Sequence, residues 1–415
     1  MPTKSLFQQA LNIQQPWYVQ SSTFNVEQKR LDIYLDFRRG AKFPYVDSTL
    51  GIRGEFNAYD TVEKTWRHLN FFEHECYLHA RVPRVDLGNG VVRMITPPWA
   101  GVAPGFTLLF EALIVQLCQS MTVHEVCHMI HESDRKIWAV LESYVDQARA
   151  QEDFRPVQRI GIDETALKRG HQYITLFVDL DARRTLFVTE GKDSATVERF
   201  ANELDAHNAM PLQVAHVSCD MSPAYIKGVT EQLPGAEITF DKFHVMSLVN
   251  NAVDEVRRLE AKTQPILKHS RYAVLKNESN LTVAQRQKRN ELSLSKLRLK
   301  TVRAMHLRES FQAVYNASSK EEFVVLLRKW HSWARRCRLA PMKEVAGTIK
   351  RHWDGIVQWK TSQITNGILE GINSLIQAAK AKARGYRTQK TIAIITYLLT
   401  GKLNFASVNP NLVPT

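Results

Sequence analysis

Five strand-like runs between residues 157 and 241 constrain this chain more than any other feature: Val157 to Asp163, His171 to Asp179, Arg184 to Glu190, Gln213 to Asp220 and Ala236 to Asp241. Apolar and β-branched residues dominate them, and helical segments separate only the last three. Three consecutive strands, then a helix, a strand, a helix and a strand, is the order of an RNase H-like sheet, whose later strands join by crossover helices.

Two acids end runs in this set. Asp163 closes Ile160-Gly-Ile-Asp163 and Asp220 closes Val214-Ala-His-Val-Ser-Cys-Asp220, so both side chains are expected at one end of the sheet. Glu370 falls on a later helix. Phosphodiester transfer uses acidic ligands that hold one or two Mg²⁺ or Mn²⁺ ions, about 4 Å apart when paired, to activate the attacking oxygen and stabilise the leaving one. Three carboxylates on separate elements provide such a set, although any one strand-end Asp alone is more often a turn former or helix cap.

Around Glu370 the pattern is helical, with Asn366, Glu370, Asn373, Gln377, Lys380 and Arg384 on one face and Ile368, Ile372, Leu375, Ile376, Ala379 and Ala383 on the other. The apolar face is expected to pack on the sheet. The polar stripe begins with a metal ligand and ends with cations suited to DNA phosphates, Lys380 and Arg384, with Arg387 just beyond Gly385; Asn373 within the stripe is expected to contact DNA as well. A merely solvated face would more often carry Glu–Lys pairs than Asn and Gln.

The remainder of the 415 residues leaves room for at least one smaller module. Residues from about Arg30 to Thr96 alternate apolar and polar types between Gly and Pro, predicting short strands in a β-rich module over 1–104. From Phe106 the spacing turns helical. Further helices are expected to start at Thr122, where Thr122 and Glu125 form a T-x-x-E capping box, and at Ser133, giving a helix-turn-helix over 105–150 with Arg135 and Lys136 at the start of its second helix, where DNA is contacted. The catalytic domain is expected over 155–405, with a helical insertion at about 250–362.

Lys and Arg number 55 against 42 Asp and Glu, an excess of +13 that favours a polyanionic partner such as double-stranded DNA. Residues 251–310 hold 14 Lys and Arg against 6 Asp and Glu, and no acid follows Glu370. The five cysteines are scattered and show no C-x-x-C spacing, which fits a reducing cytoplasm, and no apolar stretch is long enough to span a bilayer. No membrane partner is expected.

The segments Ile160-Gly-Ile-Asp-Glu164, Asp220-Met-Ser-Pro-Ala-Tyr225, Phe240-Asp-Lys-Phe-His-Val245 and Asn366-Gly-Ile-Leu-Glu-Gly-Ile-Asn373 resemble, in order and spacing, the ISL3 family of insertion-sequence transposases. Thr65-Trp-Arg-His-Leu-Asn70, Pro98-Trp-Ala100 and Gly105-Phe-Thr107 extend the similarity over nearly the whole chain. The resemblance implies an RNase H-like DDE domain, a helix-turn-helix, metal-dependent strand cleavage and transfer at transposon ends by Asp163, Asp220 and Glu370, and a homo-oligomer on DNA in the bacterial cytoplasm, associated with the nucleoid. Family members usually carry a cysteine zinc motif near the N-terminus. The comparable stretches here read Phe43-Pro-Tyr-Val-Asp47 and Pro83-Arg-Val-Asp86, so the module is expected to be a degenerate zinc ribbon without zinc. That loss suggests a second reading, a DNA-binding protein that has kept the fold without transposition.

Two motifs compete for attention. His124-Glu-Val-Cys-His128 is literally the H-E-x-x-H of zinc metalloproteases, with Glu125 as base, but Glu125 also suits the capping box. Asp241 and His244 follow the fifth strand; they read either as groups that orient a substrate phosphate or water near the metals, or as a helix cap and a packed ring.

Overall fold

The computed structural model describes residues 2–47, 51–88, 90–168, 172–294, 296, 298–364 and 367–412. Two units result: Met1–Gln151 with Leu403–Thr415, and Glu152–Lys402. His171 and Asn366, both invoked above, lie outside the described residues.

In the first unit, helix α1 (Pro2–Ala10) precedes a mixed sheet of β1 (Trp17–Asn25), β2 (Arg30–Phe37), β3 (Lys42–Asp47), β4 (Ile52–Phe71), β5 (His74–Asp86) and β6 (Val92–Met94). The strand order is β1-β2-β5-β4-β3, with β6 on β5. Strands β2 and β5 run parallel and the other pairs antiparallel. The alternation buries Leu31, Ile33, Leu35, Leu78 and Ala80 against Trp17, Trp66 and Trp99. The expectation of short strands fails at β4, which runs for 20 residues. Its first part pairs with β3 and the remainder with β5, so one strand serves two partners.

Three helices follow: α2 (Leu108–Cys118), α3 (Val123–Ile130) and α4 (Asp134–Arg149). Thr107 caps α2 by accepting from the Phe110 amide, and Thr122 and Glu125 form both halves of a capping box on α3. Glu125 is thereby engaged as a cap, which removes the general base that a metalloprotease reading requires. His124 and His128 stand edge to face, 4.5 Å between centroids. Ser133 precedes α4 without a side-chain cap bond.

Two buried charges tie helices to sheet within this unit. Arg67 of β4 lies over the rings of Tyr77 and Phe110 and donates to the carbonyls of His68 and Cys76 and to Asn70. Glu111 of α2, wholly buried, accepts from the Val102 and Ala103 amides at 2.8 Å and from the Tyr144 hydroxyl at 2.9 Å. Gly101 packs directly on its carboxylate, where a Cβ would come within 2.4 Å. Asn409 completes the group by donating to the Tyr144 hydroxyl and the Leu108 carbonyl. Glu111→Ala strands two buried amides and a phenol, and is expected to lower the stability of this unit by about 2–4 kcal/mol. A denaturant midpoint unchanged from wild type, followed by fluorescence, would contradict this.

The second unit holds the sheet of β7 (Arg159–Lys168), β8 (Gln172–Asp179), β9 (Arg184–Glu190), β10 (His216–Cys219) and β11 (Glu237–Phe240), in the order β11-β10-β7-β8-β9. Strands β7, β8 and β9 are antiparallel, while β10 runs parallel to both β7 and β11. The crossovers are α5 (Ala195–Ala206) between β9 and β10 and α6 (Pro223–Gln232) between β10 and β11. Then come α7 (Lys242–Glu260), α8 (Arg271–Leu275), α9 (Val283–Leu294), α10 (Lys300–Val314), α11 (Lys320–Arg336), α12 (Ala340–Arg351) and α13 (Trp353–Ser362), before α14 (Gly367–Lys382) returns to β7 and α15 (Gln389–Thr400) to β9. Helix α7 buries Val245, Met246, Val249, Ala252, Val253 and Val256, one continuous stripe.

Part of the positive charge in 251–310 is engaged inside the fold. Arg308 bonds Asn250 and Asn277, Arg257 pairs with Asp254 and Arg289 with Glu309. That stretch is therefore less of an open basic surface than its composition suggests.

Candidate active site

The sequence places Asp163 at a strand end, but β7 continues to Lys168. Only its pairing with β10 ends early. Strand β10 accompanies β7 over Arg159–Gly161, whereas β8 follows it as far as Lys168 opposite Gln172. Asp163 therefore emerges just past the end of β10, and Asp220 is the residue that follows β10. Asp220 Oδ1 accepts from the Ser222 amide at 2.9 Å, which orients its carboxylate at the entry to α6.

Helix α14 is laid on β7 by its neighbours in sequence to Glu370. Leu369, Ile372 and Ile376 are buried, and a Cβ on Gly161 would stand 2.7 Å from Leu369, so a glycine is what lets the helix approach. Leu375, expected on the packed face, is 55% exposed. The reason is that α14 rolls so that its polar stripe also meets the strand. Asn373 donates to Asp163 Oδ2 at 2.5 Å, Gln377 to the Thr165 hydroxyl and Lys380 to the Ala166 carbonyl at 2.6 Å. Asn373 and Lys380, read from sequence as DNA contacts, are thus latched to β7. Arg384 ends the helix with φ 55°, ahead of Gly385 at φ 102°, and Arg387 is exposed beyond it.

Asp163, Asp241, His244, Glu370, Asn373 and Gln377 line one cavity of about 360 Å³. Asp220 does not line it, yet its charge is felt there. Burial pushes the Asp163 carboxyl up, with the charges of Asp220 and Glu164 adding to the rise and the Glu164 amide and His244 ring opposing it. Glu164 is likewise raised, chiefly by burial, with Asp220 adding and Lys192, 4.0 Å away, opposing. Asp241 is 3% exposed and raised by burial, partly offset by the Phe243 and His244 amides and the His244 ring. Its Oδ2 and the Oδ1 of Asn373 are buried without a hydrogen-bond partner among the described residues.

This cluster is rich in hard oxygen donors, includes two orphaned buried oxygens, and carries mutually repelling acids that a dication would relieve. Its chemistry suits a divalent ion. The spacing is open: among the described residues, no group of three or more His, Cys, Asp or Glu is gathered closely enough to hold one. Sequence reasoning gave no role to Glu164 or to Phe243, which is 62% exposed on the cavity wall; the signals were the acid next to Asp163 and an aromatic inside Asp241-Lys-Phe-His244.

In the first unit, Arg135 is exposed at the start of α4, while Lys136 pairs with Glu132 at 2.8 Å and lies over the Phe106 ring. Among the described residues no helix is long and apolar enough to cross a membrane.

Comparison with known proteins gives the class. Residues 96–145 match the helix-turn-helix domain of transposase family ISL3, and residues 160–395 match a transposase domain of the same family. Among similar proteins, the transposase for insertion sequence element IS1557 of Mycobacterium tuberculosis is 30% identical over 394 residues, covering 88% of this chain and 85% of that protein. The transposase for insertion sequence element IS1001 of Bordetella parapertussis is 27% identical over 343 residues, covering 80% and 83%. The chain belongs to the ISL3 family of transposases.

Proposed function

We propose that this protein cuts and rejoins DNA strands at the ends of an insertion sequence through Asp163, Asp220 and Glu370, acting as a DDE enzyme. The observation that carries the reading is the Asn373–Asp163 bond: it lays α14 across β7, so that Glu370 and Asp163 face one cavity while the charge of Asp220 reaches it from the end of β10. The sheet order and the two crossovers support an RNase H-like domain, with α7–α13 as a helical insertion between β11 and the helix of Glu370.

Asp163, Asp220 and Glu370 would hold Mg²⁺ or Mn²⁺, which when bound supplies activation of the attacking oxygen and charge stabilisation for the leaving one. Asn373 fixes the Asp163 carboxylate in one rotamer. Asp241 and His244, on the same cavity, orient the incoming phosphate or water. Arg384 and Arg387 grip phosphates beside the scissile bond, and Lys380 holds the helix end to β7. The direct test is incubation of the full chain with a duplex carrying the element's terminal sequence. Strand nicks that appear only with a divalent ion are expected; binding without nicking would leave a DNA-binding protein alone.

The helix-turn-helix gives a further expectation. The start of α4 enters the major groove, so Arg135→Ala with Lys136→Ala should weaken binding to the terminal sequence about 10–100-fold. Of the two, Arg135 should dominate, because Lys136 is already partnered by Glu132. Equal binding of specific and random duplexes by mutant and wild type in a mobility-shift titration would refute this placement.

A further inference from the structure

Next to the acidic cavity lies a second one of about 290 Å³, lined by Lys242, Phe243, Met246 and Trp359 and sharing Asp241, Phe243 and Glu370 with the first. Its character is different. Phe243 is a large aromatic left 62% exposed one residue before His244, against whose ring it stands edge to face at 5.8 Å between centroids. Trp359 is 8% exposed and its indole N–H, buried, has no acceptor among the described residues. Lys242 lies over the faces of Tyr315 and Trp359, at 5.0 and 5.4 Å from their ring centroids, so a cation is held at the wall.

We infer that this cavity receives a single nucleobase, turned out of the duplex at a position beside the scissile phosphate. The inference rests on the DNA-cleaving reading of the neighbouring acids. A base offers a π face to Phe243, acceptor atoms on its edge for the orphaned indole N–H of Trp359, and a phosphate on its 5′ or 3′ side within reach of Lys242. Enzymes that act at a fixed nucleotide often hold a base outside the stack, and aromatic stacking repays the unstacking in a sequence-tolerant way. The volume suits one planar ring system and is small for a whole drug-sized ligand. Because Glu370 belongs to both cavities, a base seated in the second fixes the adjoining phosphate against the first. Phe243 is thus a positioning residue for the strand, and extrusion of the base sets which bond is cut.

The test is a cycle between protein and DNA. Duplexes carrying the element's terminal sequence are made with one abasic nucleotide stepped along each strand, and affinity for wild type, Phe243→Ala and Phe243→Trp is measured in chelator, with nicking followed separately in Mg²⁺. At one position beside the cut, the abasic duplex should bind wild type about tenfold more weakly and Phe243→Ala no more weakly than its own intact duplex. Phe243→Trp should restore the wild-type loss. Equal losses for wild type and Phe243→Ala at every position would overturn the pocket. Absence of Mg²⁺-dependent nicking by wild type would overturn the catalytic reading instead, and the affinity cycle still decides the pocket.

Discussion

Asp163→Asn is expected to abolish metal-dependent strand cleavage, by on the order of 10³-fold or more, and to leave DNA binding near the wild-type level. The substitution keeps volume and an oxygen for the Asn373 donor, so α14 stays on β7. What disappears is a negative charge in a buried position, already raised in proton affinity by burial and by Asp220. A loss of that size corresponds to about 4 kcal/mol of transition-state stabilisation, the scale expected of one metal-holding carboxylate. Asp220→Asn and Glu370→Gln should behave alike. Nicking assays in Mg²⁺ beside mobility shifts decide the matter, and cleavage retained by any one variant removes that residue from the set.

Gly161→Val should be nearly as damaging without touching an acid. A Cβ at this position would meet Leu369 at 2.7 Å and both Leu180 and the other Leu369 methyl at 3.0 Å. Leu369 is 1% exposed and cannot swing into solvent, so the strain passes to the helix that carries Glu370. Overpacking of this kind costs about 1–3 kcal/mol of stability. A shift of α14 by about 1 Å misaligns the two sides of the site and should cost on the order of 10²-fold in cleavage. Gly161→Ala, which leaves more room for the leucine to adjust, should fall between. Wild-type nicking by the valine variant would mean that the Leu369–Gly161 contact does not set the position of Glu370.

The strands of the second unit were legible because apolar β-branched runs stop at Asp and Gly, and their order alone predicted a mixed sheet. The helix starts at Thr122 and Ser133 were equally readable; the Thr122–Glu125 capping box is local chemistry, whereas Ser133 precedes its helix without a side-chain cap bond. The extent of β7 was not readable: its outer half, Glu164 to Lys168, has no continuous apolar run and is held as strand by pairing with β8. Nor was the destination of the α14 stripe. Asn373, Gln377 and Lys380 find partners on a strand more than 200 residues earlier, and nothing in their spacing distinguishes a phosphate from a threonine hydroxyl or a backbone carbonyl. Likewise β4 was expected among short strands, whereas it is one long strand whose first part pairs with β3 and whose remainder pairs with β5.

Asn409 gives the order of synthesis a meaning. It clamps Tyr144 and Leu108, yet a ribosome reaches it only after translating all of 152–402. The three-helix unit that belongs to DNA recognition therefore receives its last hydrogen bonds after the acid-bearing unit has been made. A nascent or prematurely terminated chain carries Tyr144 and Leu108 without this clamp, so the helices over 108–149 gain it only once residue 409 has been made.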